Sequence, residues 1–225
     1  MDLKKIAVIY TDFPDKFGIP RQSGLAGTRG RIVFEEEYRL EEAIRGIEEF
    51  SHIWLLWGFS EVEEGKFRPT VRPPRLGGNK RVGVFATRSP FRPNPIGLSC
   101  VKLTGVKTCG REGPVLYVEG VDILDGTPIY DIKPYLPYVD SRPGAKGGFA
   151  ERRKGYALEV EIPEEWEEEI PKEEREVLRD ILSQDPRPSY QNDPERIYGM
   201  SYAGLEIKFR VESGCLKVLG ISKNR

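Results

Sequence analysis

The 225-residue sequence is poor in the side chains on which metal and redox chemistry depend. It has three cysteines (Cys100, Cys109 and Cys215), no CxxC pair, and one histidine, His52. A zinc site and a Cys–His nucleophile pair are therefore not expected, and no metal is predicted. His52 opens an apolar run and reads as a hydrogen-bonded structural residue. The glycines at 24, 27 and 30 lie in a long loop and form no G-x-G-x-x-G, which excludes the dinucleotide fingerprint. No signal-peptide pattern is present, and no apolar run is long enough to span a bilayer. With unpaired thiols, the expectation is a reducing, cytoplasmic setting. The formal net charge is only −1, so the whole molecule has no strong field of either sign.

What charge there is, is segregated. From Lys66 to Lys102 there are nine basic residues and no acid, whereas Glu159 to Asp180 holds eleven acids and three bases. A stretch of this kind predicts a local polyanion site. Inside it lies Thr87–Ser99, TRSPFRPNPIGLS, with Pro90, Pro93 and Pro95 beside Arg88 and Arg92. Each proline fixes its own φ, lacks an amide donor and biases the preceding residue toward extended backbone. The segment reads as a stiff loop between buried strands, presenting two guanidinium groups with little ordering entropy to lose.

Hydrophobic residues make up 38% of the chain, enough for a sizeable core. Strands are predicted over 4–11, 31–38, 51–60, 81–87, 96–107 and 114–123. One short helix is predicted over 40–50, where Leu40, Ala43, Ile44, Ile47 and Phe50 repeat at three and four. Residues 124–141 read as a proline-punctuated loop with a turn at Asp125–Gly126. Strand–helix alternation is missing, so the expected fold is mostly β, with an antiparallel barrel-like N-terminal domain over 1–143. The linker-like SRPGAKGG (141–148) introduces a small α+β domain over 144–225. There a strand (155–162), a helix (163–184) restarted at Pro171 and a closing hairpin (200–211 and 215–221) are expected.

Five stretches carry a resemblance: Pro20-Arg21-Gln22, RPTVRPPRLGGN (68–79), GVFATRSPFRPNPIGLS (83–99), DGTPIYDIKPYLPY (125–138) and QDPRPSY (184–190). On these the chain resembles the TrmO family of S-adenosylmethionine (SAM)-dependent tRNA methyltransferases. The resemblance implies methylation of N6 of threonylcarbamoyladenosine at tRNA position 37, by a homodimer with SAM held in loops of the barrel. It implies cofactor contacts at Pro20, Arg21, Gln22, Ser60, Glu61, Arg88 and Cys100, and at the backbone of Val121, Asp122, Ile123 and Leu124. Ser60-Glu61 departs from the His-Gln pair that often stands there in bacterial members. Because four of the five blocks precede the linker, a cofactor site complete within the barrel is expected, with the second domain assisting tRNA recognition.

The residue chemistry agrees with that picture. Arg21 and Arg88 can meet a carboxylate, Asp122, Glu61 and Asp125 can accept hydrogen bonds, and Gln22 can both donate and accept at an adenine edge. Arg68, Arg72, Arg75 and Arg92 are candidates for phosphates, with Lys133 and Arg187 extending the groove, and Phe91 and Tyr135 for base stacking. Asp131 is the candidate general base and Asn94 the candidate for orienting the adenine. Turn capping by Asp122 and Asp125, and pairing of Asp131 with Lys133, are the structural alternatives. Two other functions fit the same residues: a non-enzymatic RNA-binding module, and a SAM-dependent methyltransferase of a small molecule.

Overall fold

In a computed structural model, which describes residues 2–61, 66–73, 80–153, 155–188 and 193–223, the first half of the chain closes a barrel. Its strands are β1 (Ala7–Thr11), β2 (Arg29–Phe34) and β3 (His52–Gly58), then β6 (Ile96–Thr108), β7 (Pro114–Glu119) and β8 (Thr127–Pro134). The short ribbon β4 (Thr70–Val71) and β5 (Val82–Gly83) lies between. The barrel order is β1-β2-β7-β6-β3-β8, and β8 closes the ring by pairing antiparallel with β1. Alternation does the rest. Along β3 the side chains of Ile53, Leu55 and Trp57 point inward, to meet Ala7, Ile9, Ile32, Leu116, Val118 and Ile129. Burying a side chain of this size contributes about 1.5–3 kcal/mol.

The second domain is a four-stranded sheet in the order β10 (Tyr198–Tyr202), β11 (Leu205–Glu212), β12 (Cys215–Lys223) and β9 (Glu159–Glu161). The helix Arg175–Ser183 packs on it through Val177, Leu178, Ile181 and Leu182, the stripe its periodicity predicts. Its core also takes in Phe13 and Ala26, from the long β1–β2 loop of the barrel. Phe13 meets Tyr202 at 5.1 Å between ring centroids, and Ala203 donates its amide to the Asp12 carbonyl at 3.1 Å. The Tyr202 hydroxyl donates to Glu174, which also pairs with Arg29 at 3.2 Å. The β1–β2 loop is thus fastened at both ends, which fixes the position of Pro20–Gln22 between them.

Several elements differ from expectation. The helix over 40–50 is a four-residue helix, Glu41–Ile44, and a separate turn, Ile47–Glu49, because Gly46 takes a left-handed φ of 85°. The strand over 81–87 is only β5, after which Val84–Ala86 turns into a single 3-10 turn. The helix over 163–184 is three pieces, Glu164–Glu167, Lys172–Glu174 and Arg175–Ser183. Residues 200–211 are two strands folded at Ala203–Gly204, both at positive φ. Most consequential, the stretch read as a proline-punctuated loop contains β8, the strand that closes the barrel. Pro128 and Pro134 hid its alternating pattern, in which Thr127 and Ile129 are buried. No helix among the described residues is long and apolar enough to cross a membrane.

Candidate cofactor cavity and arginine groove

At the rim of the barrel a cavity of about 750 Å3 forms where the β1–β2 loop, the end of β3, the proline-rich loop before β6 and the segment after β7 meet. Eight of the residues expected at a cofactor line it: Pro20, Arg21, Gln22, Ser60, Glu61, Arg88, Asp122 and Leu124. Trp57, Gly97 and Thr127 complete its floor. Gly97 faces Trp57 on the neighbouring strand, and a Cβ at this position would come within 2.2 Å of the indole ring. Only glycine lets the indole lie there, and the indole in turn starts a relay. Its Nε1–H donates to Ser99 Oγ at 3.0 Å, and Ser99 donates to Asp122 Oδ1 at 2.5 Å.

Asp122 is the carboxylate in the wall of this relay. Burial pushes its carboxyl above the ordinary value, opposed by the Ser99 hydrogen bond and the Arg88 charge. Arg88 Nη1 donates to Gln22 Oε1, and Gln22 Nε2 to the Arg21 carbonyl. Arg21 reaches the other way: Nη2 donates to the carbonyls of Asp185 and Arg187, each at 3.2 Å. Among the described residues the cavity is lined by barrel residues alone, and the second domain reaches it only by anchoring Arg21.

Of the remaining expected cofactor residues, Val121 and Ile123 have fully buried side chains in the barrel core. Their carbonyls accept from Thr28 and Thr11 respectively. Cys100 donates its amide to Ser23 Oγ at 3.2 Å, and burial pushes its thiol up, away from thiolate chemistry. Glu61 sits at the mouth in an exposed pair with Lys16. Asp125 accepts from the Thr11 amide and holds the β1 end.

A second, larger space of about 1450 Å3 opens beside the cavity and shares with it the walls Arg21, Gln22, Arg68, Thr87, Arg88, Pro90 and Phe91. Five arginines line it (Arg21, Arg68, Arg72, Arg81 and Arg88) and no Asp or Glu does, among the described residues. Of the arginines expected at phosphates, Arg68 and Arg72 line this space, and Arg75 lies outside the described residues. Arg68 covers the face of Phe91 at 4.5 Å. Arg92 turns inward: one nitrogen donates to the carbonyls of Val84, Thr87 and Ser89 at 3.2, 2.7 and 3.4 Å. Arg187 forms a two-point pair with Asp185, at 2.8 and 3.0 Å, with only 11% of its side chain accessible. Asp131 pairs with Lys133 at 2.7 Å, and neither residue lines the cavity or the groove. Asn94 is exposed and also outside both. Tyr135 packs near His52 and Trp54.

Sequence reasoning did not single out Trp57, Ser99 and Gly97 as site residues. The signal available was the pairing of an apolar strand that carries Trp57 with a following I-G-L-S.

A β-barrel with a cavity of cofactor size beside a groove lined, among the described residues, by arginines and no acid has the layout of a protein class that handles a small polar ligand and a polyanion together. Residues 8–141 match the family model of the tRNA-methyltransferase O N-terminal domain, and residues 155–224 that of the TrmO C-terminal domain. The chain belongs to the TrmO family. It is 40% identical to the Escherichia coli protein named tRNA (adenine(37)-N6)-methyltransferase, over 97% of this chain and 96% of that one. It is 42% identical to a Pseudomonas aeruginosa protein named as a putative S-adenosylmethionine-dependent methyltransferase, over 90% and 89%. The crystal structure of TrmO from P. aeruginosa superposes with a TM-score of 0.81 at 32% identity, over 100% of this chain and 97% of that one.

Proposed function

We propose that this chain methylates N6 of adenosine 37 in tRNA with SAM as methyl donor, and that the threonylcarbamoyl form of that nucleoside is its substrate. The names of the E. coli and Eikenella corrodens relatives support the atom and the position. The threonylcarbamoyl group and a homodimeric assembly rest on the sequence resemblance, and action in the cytoplasm on the unpaired thiols. The observation that carries the reading is the shared wall between the cavity and the groove. A ligand held in one is adjacent to a polyanion held in the other.

The residues fit SAM by their chemistry. A cavity of about 750 Å3 is in the usual range for a small-molecule site. Arg21 and Arg88 supply guanidinium groups for its carboxylate, and Gln22 an amide for an adenine edge. When bound, SAM supplies an electrophilic methyl on a sulfonium, already a good leaving group. What remains for the protein is alignment and one proton. The acceptor nitrogen shares its lone pair with the adenine ring and the carbamoyl group, and becomes a good nucleophile as its proton leaves. Asp122 lines the cavity, with a carboxyl whose raised pKa makes it a stronger base than an exposed aspartate. Ser99 fixes one of those oxygens, and Trp57 fixes Ser99.

Arg88→Ala should weaken SAM binding by about 1.5–3 kcal/mol, the usual worth of a charge-assisted hydrogen bond. Calorimetric titration of the folded variant measures it, and wild-type affinity would remove Arg88 from the cofactor site. Binding of tRNA should fall steeply with salt, each phosphate contact contributing roughly 0.7–0.9 to the slope of log K against log salt. Replacing Arg72 and Arg81 by Ala should flatten that slope. A slope that does not change would make these arginines bystanders.

A further inference from the structure

Two aromatic side chains in the groove take no part in the cofactor reading. Phe67 and Phe85 are 46% and 73% exposed, with ring centroids 6.5 Å apart and planes inclined by 28°. Single exposed apolar side chains are ordinary, but two exposed rings side by side in a groove form an apolar patch of the kind found in ligand-binding grooves. Phe85 is also held in place. It projects from the Val84–Ala86 turn, and Arg92 stands 5.5 Å from its ring centroid. The same guanidinium ties down the carbonyls of Val84, Thr87 and Ser89. Arg92, expected from sequence at a phosphate, thus also braces an exposed ring.

The surroundings choose the occupant. Arg68, Arg72, Arg81 and Arg88 line the same groove as the two rings, with no acid among its described walls. Apolar faces with guanidinium groups around them match an unpaired nucleotide, which offers a flat base on one side and a phosphate on the other. The groove shares its wall with the cofactor cavity, so a nucleotide in the cavity has its neighbour in the groove.

We propose that Phe85, assisted by Phe67, is a stacking shelf for the unpaired nucleobase next to the adenosine that enters the cofactor cavity. This rests on the reading of tRNA as substrate. The shelf would hold the loop open and keep the target base from restacking on its neighbour.

The test is binding of an anticodon stem-loop RNA, followed by fluorescence anisotropy, with two further probes abasic on one or the other side of the target adenosine. Because Phe85 is largely exposed, Phe85→Ala removes little packing. The expected loss with the intact loop is about 5- to 100-fold. Phe85→Trp should retain affinity, and the salt slope should be unchanged in both variants, since no charge is altered. With one of the two abasic probes, Phe85→Ala should bind as wild type does. Equal binding of Phe85→Ala and wild type to the intact loop overturns the shelf, and so does an equal loss on all three RNAs. A wild-type protein that methylates tRNA while Phe85→Ala is silent removes the shelf alone. A wild-type protein that binds none of the RNAs removes the tRNA reading and the shelf with it.

Discussion

Asp122→Asn should slow methyl transfer in a single turnover by about 10²-fold or more, a typical loss when a general base is removed, with SAM affinity nearly kept. The argument is local. Asp122 lies in the cavity wall, hydrogen-bonded to Ser99, and burial pushes its carboxyl above the ordinary value. For a carboxyl raised in this way the folded state disfavours the ionised form. Its contribution to stability is present in acid and is lost as pH rises from the ordinary value through the folded one. Asn cannot ionise and keeps the oxygen that Ser99 needs, so the variant should melt no lower than wild type at neutral pH. The wild-type rate should fall as pH drops through the raised value, and the variant should lose that limb. Asp131→Asn is the control. Its exposed pair with Lys133 is worth about 0–1 kcal/mol, so the rate should stay within about fivefold of wild type. If SAM affinity falls as far as the rate, Asp122 is a cofactor ligand and not the base. A large loss in Asp131→Asn alone would move the base to β8.

Arg187→Ala should lower both stability and SAM affinity, although Arg187 lies outside the cofactor cavity. Burial alone would raise the Asp185 carboxyl, and the Arg187 hydrogen bonds and charge hold it below the ordinary value. Removing the guanidinium leaves a carboxylate only 16% exposed without its partner, at a cost of about 3 kcal/mol. Asp185 already sits at a positive φ of 54°, and its carbonyl and that of Arg187 are the two acceptors for Arg21. When the pair is broken those carbonyls lose their fixed placement, and SAM binding should weaken about tenfold. Thermal melting and calorimetry on the same sample separate the effects. A lowered melting temperature with wild-type SAM affinity would show that Arg21 keeps its place without the second domain. The pair also predicts acid sensitivity. For a carboxyl held low, the stabilisation is present above its ordinary value and is lost as pH falls through the folded one.

Much of this architecture can be read directly from residue order. The apolar run of β3, the long β6 and the stripe Val177, Leu178, Ile181 and Leu182 are local patterns, and local patterns survive folding. β8 was obscured because its prolines sit at positions where the ladder tolerates a missing donor, which no single-residue rule reveals. The gathering of Gln22, Arg88 and Asp122 was legible only through resemblance, since nothing in their spacing places them together. The anchoring of Arg21 by carbonyls 164 and 166 residues away was not legible at all. Backbone acceptors carry no residue signature. Arg92 shows the converse: nothing in a basic run reveals that one nitrogen of its guanidinium serves three backbone carbonyls.

The central claim is tested most directly by incubating the protein with tRNA and SAM labelled in its methyl group, then digesting the tRNA and separating its nucleosides by mass spectrometry. The account predicts the label in one nucleoside, N6-methylated threonylcarbamoyladenosine from position 37, and none in tRNA that lacks the threonylcarbamoyl group. Label in a different nucleoside, or none in threonylcarbamoylated tRNA although SAM is bound, would contradict it.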